Sequence, residues 1–277
     1  MTHEEKISSL IPADAIGVEI GAGAAPLPGF STPPVYVDCF KAFGAEPCRA
    51  DYYGHACQLP FHDHSLDFVA ASHVLEHVAN PVAALAEWYR VVRPGGLIYL
   101  VVPDRRKTWD HSRALTTVDH MLGDYLRRTS ACDVTHVHEF ASMIDWSRFN
   151  PELPASEVPA KREEFARGLH ETIARGEDIN IHFHTFEAKN LRGLLETLST
   201  WPARRFNWEI LELVDDFPAT NPNGVLAVLR VQKGWRARAD AEGFRIRTGG
   251  GAQAALKDDA EPFATWAART EGLGGVR

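Results

Sequence analysis

The sequence predicts an α/β protein: a doubly wound, mostly parallel seven-stranded sheet with a C-terminal antiparallel hairpin and a helical lid insertion. Three observations carry this expectation. Residues 16–20 form an apolar run that ends on Gly21, Ala22 and Gly23, and glycine lets a strand turn sharply with no Cβ between backbone and ligand. Residues 35–38 form a second apolar run that ends on Asp38. That acid lies roughly 20 residues past the first run, where open α/β sheets set a carboxylate against ribose hydroxyls. Residues 66–72 are apolar on both faces, as a central parallel strand must be.

In chain order, residues 2–11 read as a short amphipathic helix. Thr2 and Glu5 stand at capping-box spacing, and Ile7, Leu10 and Ile11 fall on one face. Beyond the glycine turn, Pro26, Pro28, Pro33 and Pro34 exclude a helix interior. A short third strand is expected within 45–53, and the fourth is 66–72. Asn80 and Pro81 read as N-cap and first residue of a helix, with Val82, Leu85, Tyr89 and Val92 turned inward. Arg93-Pro94-Gly95-Gly96 should end that helix before a fifth strand at 97–102. Residues 104–185 are too long for a bare connection in a compact domain. They are expected to form a mostly helical lid over an acceptor pocket, with an irregular loop at 151–159. Leu191, Leu194, Leu195 and Leu198 place a helix at 186–198. Strands at 206–214 and 225–231, joined by Pro, Asn and Gly, should be antiparallel neighbours. The tail from 234 has a candidate joint at 249–252 and no readable role. The expected divisions are thus 1–103, 104–185, 186–233 and 234–277.

The proline-rich continuation lacks the helix N-terminus that would hold a pyrophosphate. No Gly-Lys-Ser/Thr follows to form a phosphate loop. A ligand with a ribose and no phosphates fits better, and S-adenosylmethionine is the commonest of these. Further blocks follow in one order at close spacing. They are Leu59-Pro60-Phe61, Ser65-Leu66-Asp67-Phe68-Val69, Ser72-His73-Val74-Leu75-Glu76-His77-Val78, Asn80-Pro81, Arg93-Pro94-Gly95-Gly96 and Val101-Val102-Pro103-Asp104. In these blocks the chain resembles the small bacterial branch of the class I S-adenosylmethionine-dependent methyltransferases. The resemblance is close through Asp104 and loose near 206–232.

The resemblance implies S-adenosylmethionine as cofactor, held by Glu19, Gly21, Ala22, Gly23, Asp38, Ser72 and His73. It also implies an acid four residues before Leu59, on the adenine amino group. His55 stands there instead, so either Asp51 takes the role or His55 itself meets the ring. Asp67 is expected to be structural. The transfer needs alignment of acceptor, methyl carbon and sulfur, and a base where the acceptor carries a proton. His73, directly after the fourth strand, is the first candidate base, followed by His77 and Asp104.

Two His-x-His pairs, His136/His138 and His182/His184, lie in the insertion. In a strand, residues i and i+2 face one side, so each pair could present two imidazoles to a divalent metal, with Glu139 beside the first. Packing within the lid, or contact with a polar substrate, is the favoured reading over metal.

Composition narrows the partners. The formal charge of −8 argues against a nucleic-acid substrate. No apolar run approaches the roughly 20 residues of a membrane span, and the first residues lack the basic and apolar regions of a leader. The four cysteines (Cys39, Cys48, Cys57 and Cys132) form no C-x-x-C pair, so free thiols in a cytoplasmic protein are expected. The expected activity is methyl transfer to O or N of a small-molecule acceptor. Two alternatives stay open: methylation of a sugar on a surface-glycan or glycolipid precursor, and a non-catalytic S-adenosylmethionine-binding partner protein.

Overall fold

The apolar runs assemble into one sheet whose central strands are apolar on both faces. The computed structural model describes residues 1–202, 206–234, 241–242 and 251–270. Its main strands are β1 (Gly17–Ile20), β2 (Val35–Asp38), β5 (Tyr52–Tyr53), β6 (Leu66–Ser72), β7 (Val92–Pro103), β8 (Trp208–Phe217) and β9 (Gly224–Val231), with a separate hairpin of β3 (Ala42–Phe43) and β4 (Glu46–Pro47). The seven-stranded sheet runs β5-β2-β1-β6-β7-β9-β8. All pairs from β5 to β7 are parallel, and β9 is antiparallel to both β7 and β8. The order reverses between β1 and β6, so the carboxyl ends of those two strands open the crevice in which open α/β sheets take ligands.

Helices cover the sheet. One face packs α2 (Pro81–Val91), α3 (Val118–Arg127) and α7 (Ala188–Thr200). Asn80 caps α2 through Oδ1, which accepts from Ala83 N at 3.0 Å, with Pro81 next. Leu191, Leu194, Leu195 and Leu198 of α7 are fully buried, each contributing roughly 1.5–3 kcal/mol by leaving water. The other face takes α1 (His3–Leu10), held by the Thr2/Glu5 capping box, with Ile7 and Ile11 buried. The proline-rich stretch is non-helical and fills the rest of that face: Leu27 is buried and Phe30 stacks on Phe68 at 5.2 Å.

One boundary departs from expectation. Strand β7 starts at Val92, ahead of Arg93-Pro94-Gly95-Gly96, and Val92 pairs with Leu66 before the register shifts. Gly96 serves strand contact there. A Cβ on Gly96 would lie 2.5 Å from the Asp67 carbonyl oxygen. Asp67 itself accepts from Ile16 N at 2.7 Å and pairs with Arg93.

Residues 104–187 carry α3 with α4 (Val137–Met143), α5 (Trp146–Phe149) and α6 (Val158–Ala174). Val137, Phe140, Ile144, Trp146, Ile179, Ile181 and Phe183 form their own apolar cluster. Of the joint expected at 249–252, residues 249–250 lie outside the described residues. Residues 251–270 dock on the sheet margin. Tyr53 N donates to Glu261 O and Phe263 N to Asp51 O, both at 2.9 Å, and Trp266 stacks on Tyr53 at 4.4 Å. Among the described residues no helix is long and apolar enough to cross a membrane.

Candidate functional site

Gly21, at φ +64°, turns the chain at the end of β1, where a Cβ would meet Val74 Cγ2 at 2.7 Å. Gly23, at φ +55°, faces open space. A side chain at either position would be strained, so the turn presents bare backbone to a cavity of about 1160 Å³. Gly21, Ala22, Gly23, Asp38, His55, Ser72, His73 and His77 all line that cavity. Its volume exceeds the roughly 300–1,000 Å³ usual for one small ligand, which leaves room for two.

Asp38 closes β2. Its Oδ1 accepts from Phe40 N at 2.9 Å, and burial raises its carboxyl above the ordinary range. Further along, His55 Nε2 and the Tyr53 hydroxyl are 2.7 Å apart. Across from His55 Nδ1, at 3.6 Å, stands the carboxylate of Asp178, which also lines the cavity. The glycine turn, the Asp38 carboxylate and the His55–Asp178 end fit the amino-acid, ribose and adenine parts of S-adenosylmethionine.

Three expected residues lie elsewhere. Glu19 does not line the cavity. Its Oε1 accepts from Leu27 N at 2.9 Å, which ties down the proline-rich stretch, and Oε2 has no partner. Burial pushes this carboxyl up to about 7. Asp51 is spent on the sheet margin: its Oδ2 accepts from Tyr36 N at 2.9 Å. Asp104 is fully buried away from the cavity and takes a two-oxygen contact from Arg106, Nε to Oδ1 at 2.9 Å and Nη2 to Oδ2 at 2.5 Å. Burial would raise that carboxyl, but the Arg106 hydrogen bonds outweigh it and hold it below the usual range. Asp104 is thus a turn cap rather than a group facing an acceptor.

Polar side chains gather on the cavity wall after β6. His73 follows β6 at φ +56°, a left-handed backbone for a non-glycine residue, with its N–H donated to Val101 O at 2.9 Å. Such conformations cost of order 1–3 kcal/mol and gather at functional sites. Desolvation lowers the His73 imidazole to about 4 and that of His77 to about 3, so both are neutral near pH 7. Between them Glu76 is fully buried, 3.7 Å from His73 Nδ1 and 3.8 Å from His77 Nε2. Neither Glu76 oxygen has a partner on another residue, and burial raises its carboxyl well above the ordinary value.

From the lid, Trp109, Asn180 and His182 complete this end. His182 Nδ1 meets Asp110 Oδ2 at 2.5 Å, and Asp110 Oδ1 accepts from Arg113 at 2.8 Å. Neither His-x-His pair acts as a pair. His136 immediately precedes α4, so the backbone there is not extended and His138 turns to solvent near Ser142. His182 faces the cavity, while His184 and His136 turn to Asp124. The expectation that i and i+2 share a face holds only for strands, and neither pair lies in one.

Glu76, Asp110, Asp178 and Asn180 were not expected in the site. Glu76 stood in the Leu75-Glu76-His77 block, a readable signal. Asp178 and Asn180 lie in a stretch of mixed polar residues with none.

A family profile described as a methyltransferase domain matches residues 39–100. A 52-residue stretch is 48% identical to an uncharacterized 37.1 kDa protein in transposon TN4556 of Streptomyces fradiae, spanning 19% of this chain and 14% of that one. A 58-residue stretch is 40% identical to a demethylmenaquinone methyltransferase of Bacillus cytotoxicus, spanning 21% of this chain and 24% of that one. The chain thus matches under a quarter of the length of either relative. A solved SAM-dependent methyltransferase from Methanosarcina mazei aligns over 84% of this chain and 100% of its own at 18% identity, with a TM-score of 0.43. The matched segment runs from the end of β2 into β7, through the edge that carries the cavity. Residues 39–100 thus match a methyltransferase domain and are set in this strand order.

Proposed function

We propose that the protein transfers a methyl group from S-adenosylmethionine to an oxygen or nitrogen of a polar small molecule. When bound, the cofactor supplies a methyl group on a positively charged sulfur, already activated for displacement. Gly21, Ala22 and Gly23 give backbone to its amino-acid end. Asp38 takes the ribose, and Ser72 and His73 flank the sulfur. His55 and Asp178 hold the adenine, with Asp178 in place of the acid that His55 displaces.

The observation that carries the acceptor class is Glu76. A fully buried carboxyl with both oxygens unpaired, between two neutral imidazoles in the cavity wall, costs several kcal/mol. An acceptor with hydroxyl or amine groups would satisfy it, and a hydrocarbon ring would not. His182, braced by Asp110, is the imidazole best oriented to take the proton that such an acceptor loses. His73 and His77 position the same group.

The test is release of S-adenosylhomocysteine over a panel of amines, phenols, sugar nucleotides and a naphthoquinol. Turnover on hydroxyl or amine compounds is expected. His182→Ala should lower kcat by about 10²–10⁴ with cofactor affinity unchanged. Turnover on the quinol alone, with the methyl group found on a ring carbon of the product, would overturn the acceptor class. Tight cofactor binding with no turnover would favour the partner-protein reading. A second reading, a sugar of a glycan or glycolipid precursor, is favoured by Trp109: its indole lines the cavity, and its buried N–H has no partner.

A further inference from the structure

A second cluster of ligating groups lies behind the cavity wall. His120 and Asp124 sit one turn apart on α3, so they share a face. His136 arrives from the start of α4, and His184 from the stretch that returns to the sheet. Their donor atoms converge. Asp124 Oδ2 is 3.0 Å from His184 Nε2, 3.2 Å from His120 Nε2 and 3.6 Å from His136 Nε2. His120 Nε2 and His136 Nε2 are 3.0 Å apart. All four atoms lie within 4.8 Å of one another.

As a plain hydrogen-bond cluster this arrangement is frustrated. Three ring nitrogens aim at one carboxylate oxygen, and two of them are close enough to need a single proton between them. A cation removes the conflict, because every nitrogen then offers its lone pair inward. Bonds of about 2.0–2.1 Å to a tetrahedral ion set the donors roughly 3.3–3.4 Å apart, in the middle of the spacings here.

The surroundings hold the donors in that pose. Asp124 Oδ1 is occupied by Arg127 at 2.8 Å and Thr129 at 3.1 Å, which leaves Oδ2 as the single inward oxygen. His136 Nδ1 is engaged by the Thr135 hydroxyl at 3.0 Å. Such contacts fix ligand orientation and tautomer. His184 Nδ1 is buried without a partner. Asp124, His136 and His184 are buried, and the His120 side chain is 46% exposed, which gives an ion a way in.

We propose that His120, Asp124, His136 and His184 bind one divalent transition-metal ion of the zinc class in a closed four-ligand site. With no position left for water or substrate, the ion is structural. It fastens α3, the start of α4 and the returning stretch to one another. None of the four lines the cavity, yet Tyr125, Leu126, Arg128 and Thr129, next to Asp124, do. The ion therefore sets the wall against which the acceptor rests. The site depends on no assumption about the acceptor or the reaction.

The test uses the full chain, free of any histidine tag and purified without chelator. Elemental analysis should find about one zinc-class ion per chain. Cobalt(II) loaded in its place should give the intense visible absorption of a tetrahedral site. His120→Ala, at the exposed corner, and Asp124→Asn should each weaken Zn²⁺ binding by more than the roughly 10–100-fold that losing a group behind a ligand costs. His138→Ala, which leaves the cluster intact, should not. Chelation should lower the melting temperature, and Zn²⁺ should restore it in the wild type but not in His120→Ala. Only trace metal, with no uptake on Zn²⁺ titration, would overturn the proposal. So would binding that His120→Ala and Asp124→Asn both leave unchanged.

Discussion

The sheet edge and the lid wall the same cavity with opposite kinds of interior. Around β1 and β6 the interior is apolar: Val18, Val69 and Ala71 are fully buried, and neighbouring strands satisfy one another's backbone. The lid has an apolar cluster too, but threaded through it are Asp110, Arg113, Asp124, His136, His182 and His184, all buried. Arg113 alone engages Asp110, Glu139 and the carbonyls of His182 and Phe183. An apolar interior loses stability in proportion to the volume removed. A polar one fails when a single partner goes, because the rest stay buried and unpaired. The sheet thus gives a tolerant platform, and the lid gives a wall with a particular shape.

The largest effect expected is on the lid. Arg113→Ala should cost about 3–5 kcal/mol, the range for breaking a buried ion pair from one side, and hydrogen exchange should show 104–187 opening before the sheet. Uniform loss of protection would erase the contrast. Leu194→Ala, on the sheet side, should cost about 2–5 kcal/mol by leaving a void, with the lid amides no more exposed than the rest.

Glu19 sharpens the comparison, as the one acid within β1. Its folded carboxyl titrates near 7 against an ordinary value of 4.5. Between those values the unfolded chain has already released the proton that the folded one keeps. Stability should therefore fall as pH rises from about 4.5 to about 7, by up to roughly 3 kcal/mol. Denaturant midpoints at pH 5 and pH 8 should differ less in Glu19→Gln than in the wild type; equal pH slopes would remove Glu19 as the cause. Smaller effects concern the ligand. Asp38→Ala should weaken S-adenosylmethionine about ten- to a hundredfold by calorimetry, the worth of hydrogen bonds to a charged group. Asp178→Ala should weaken it only several-fold, and an unchanged value would return the adenine end to His55 alone.

How much was legible follows the same division. Residues 16–20, 35–38 and 66–72 announced their strands because burial on both faces leaves an unbroken apolar run. The four leucines of α7 announced a helix by spacing. Strand β7 was missed at its start because Arg93, Pro94 and two glycines look like punctuation, whereas Gly96 lets β6 and β7 pass closely. The glycine turn, Asp38, Ser72 and His73 were placed at the cavity by their position after strands. Asp104 had the same position, but Arg106, two residues on, claims its carboxylate. The lid was opaque for a different reason. His136 and His184 meet across a long sequence separation, beside His120 and Asp124 of α3. No local periodicity encodes such a meeting.

The docked C-terminal segment has a consequence for association. A sheet margin offers unpaired amides and carbonyls to any other extended chain. Strand β5, at one margin, is only two residues long, and residues 251–270 lie across it and occupy its backbone groups. The opposite margin, β8, carries Glu209, Glu212, Asp215 and Asp216 and two breaks in register. Removing the last twenty described residues would uncover the less charged margin, and self-assembly by strand addition would begin there.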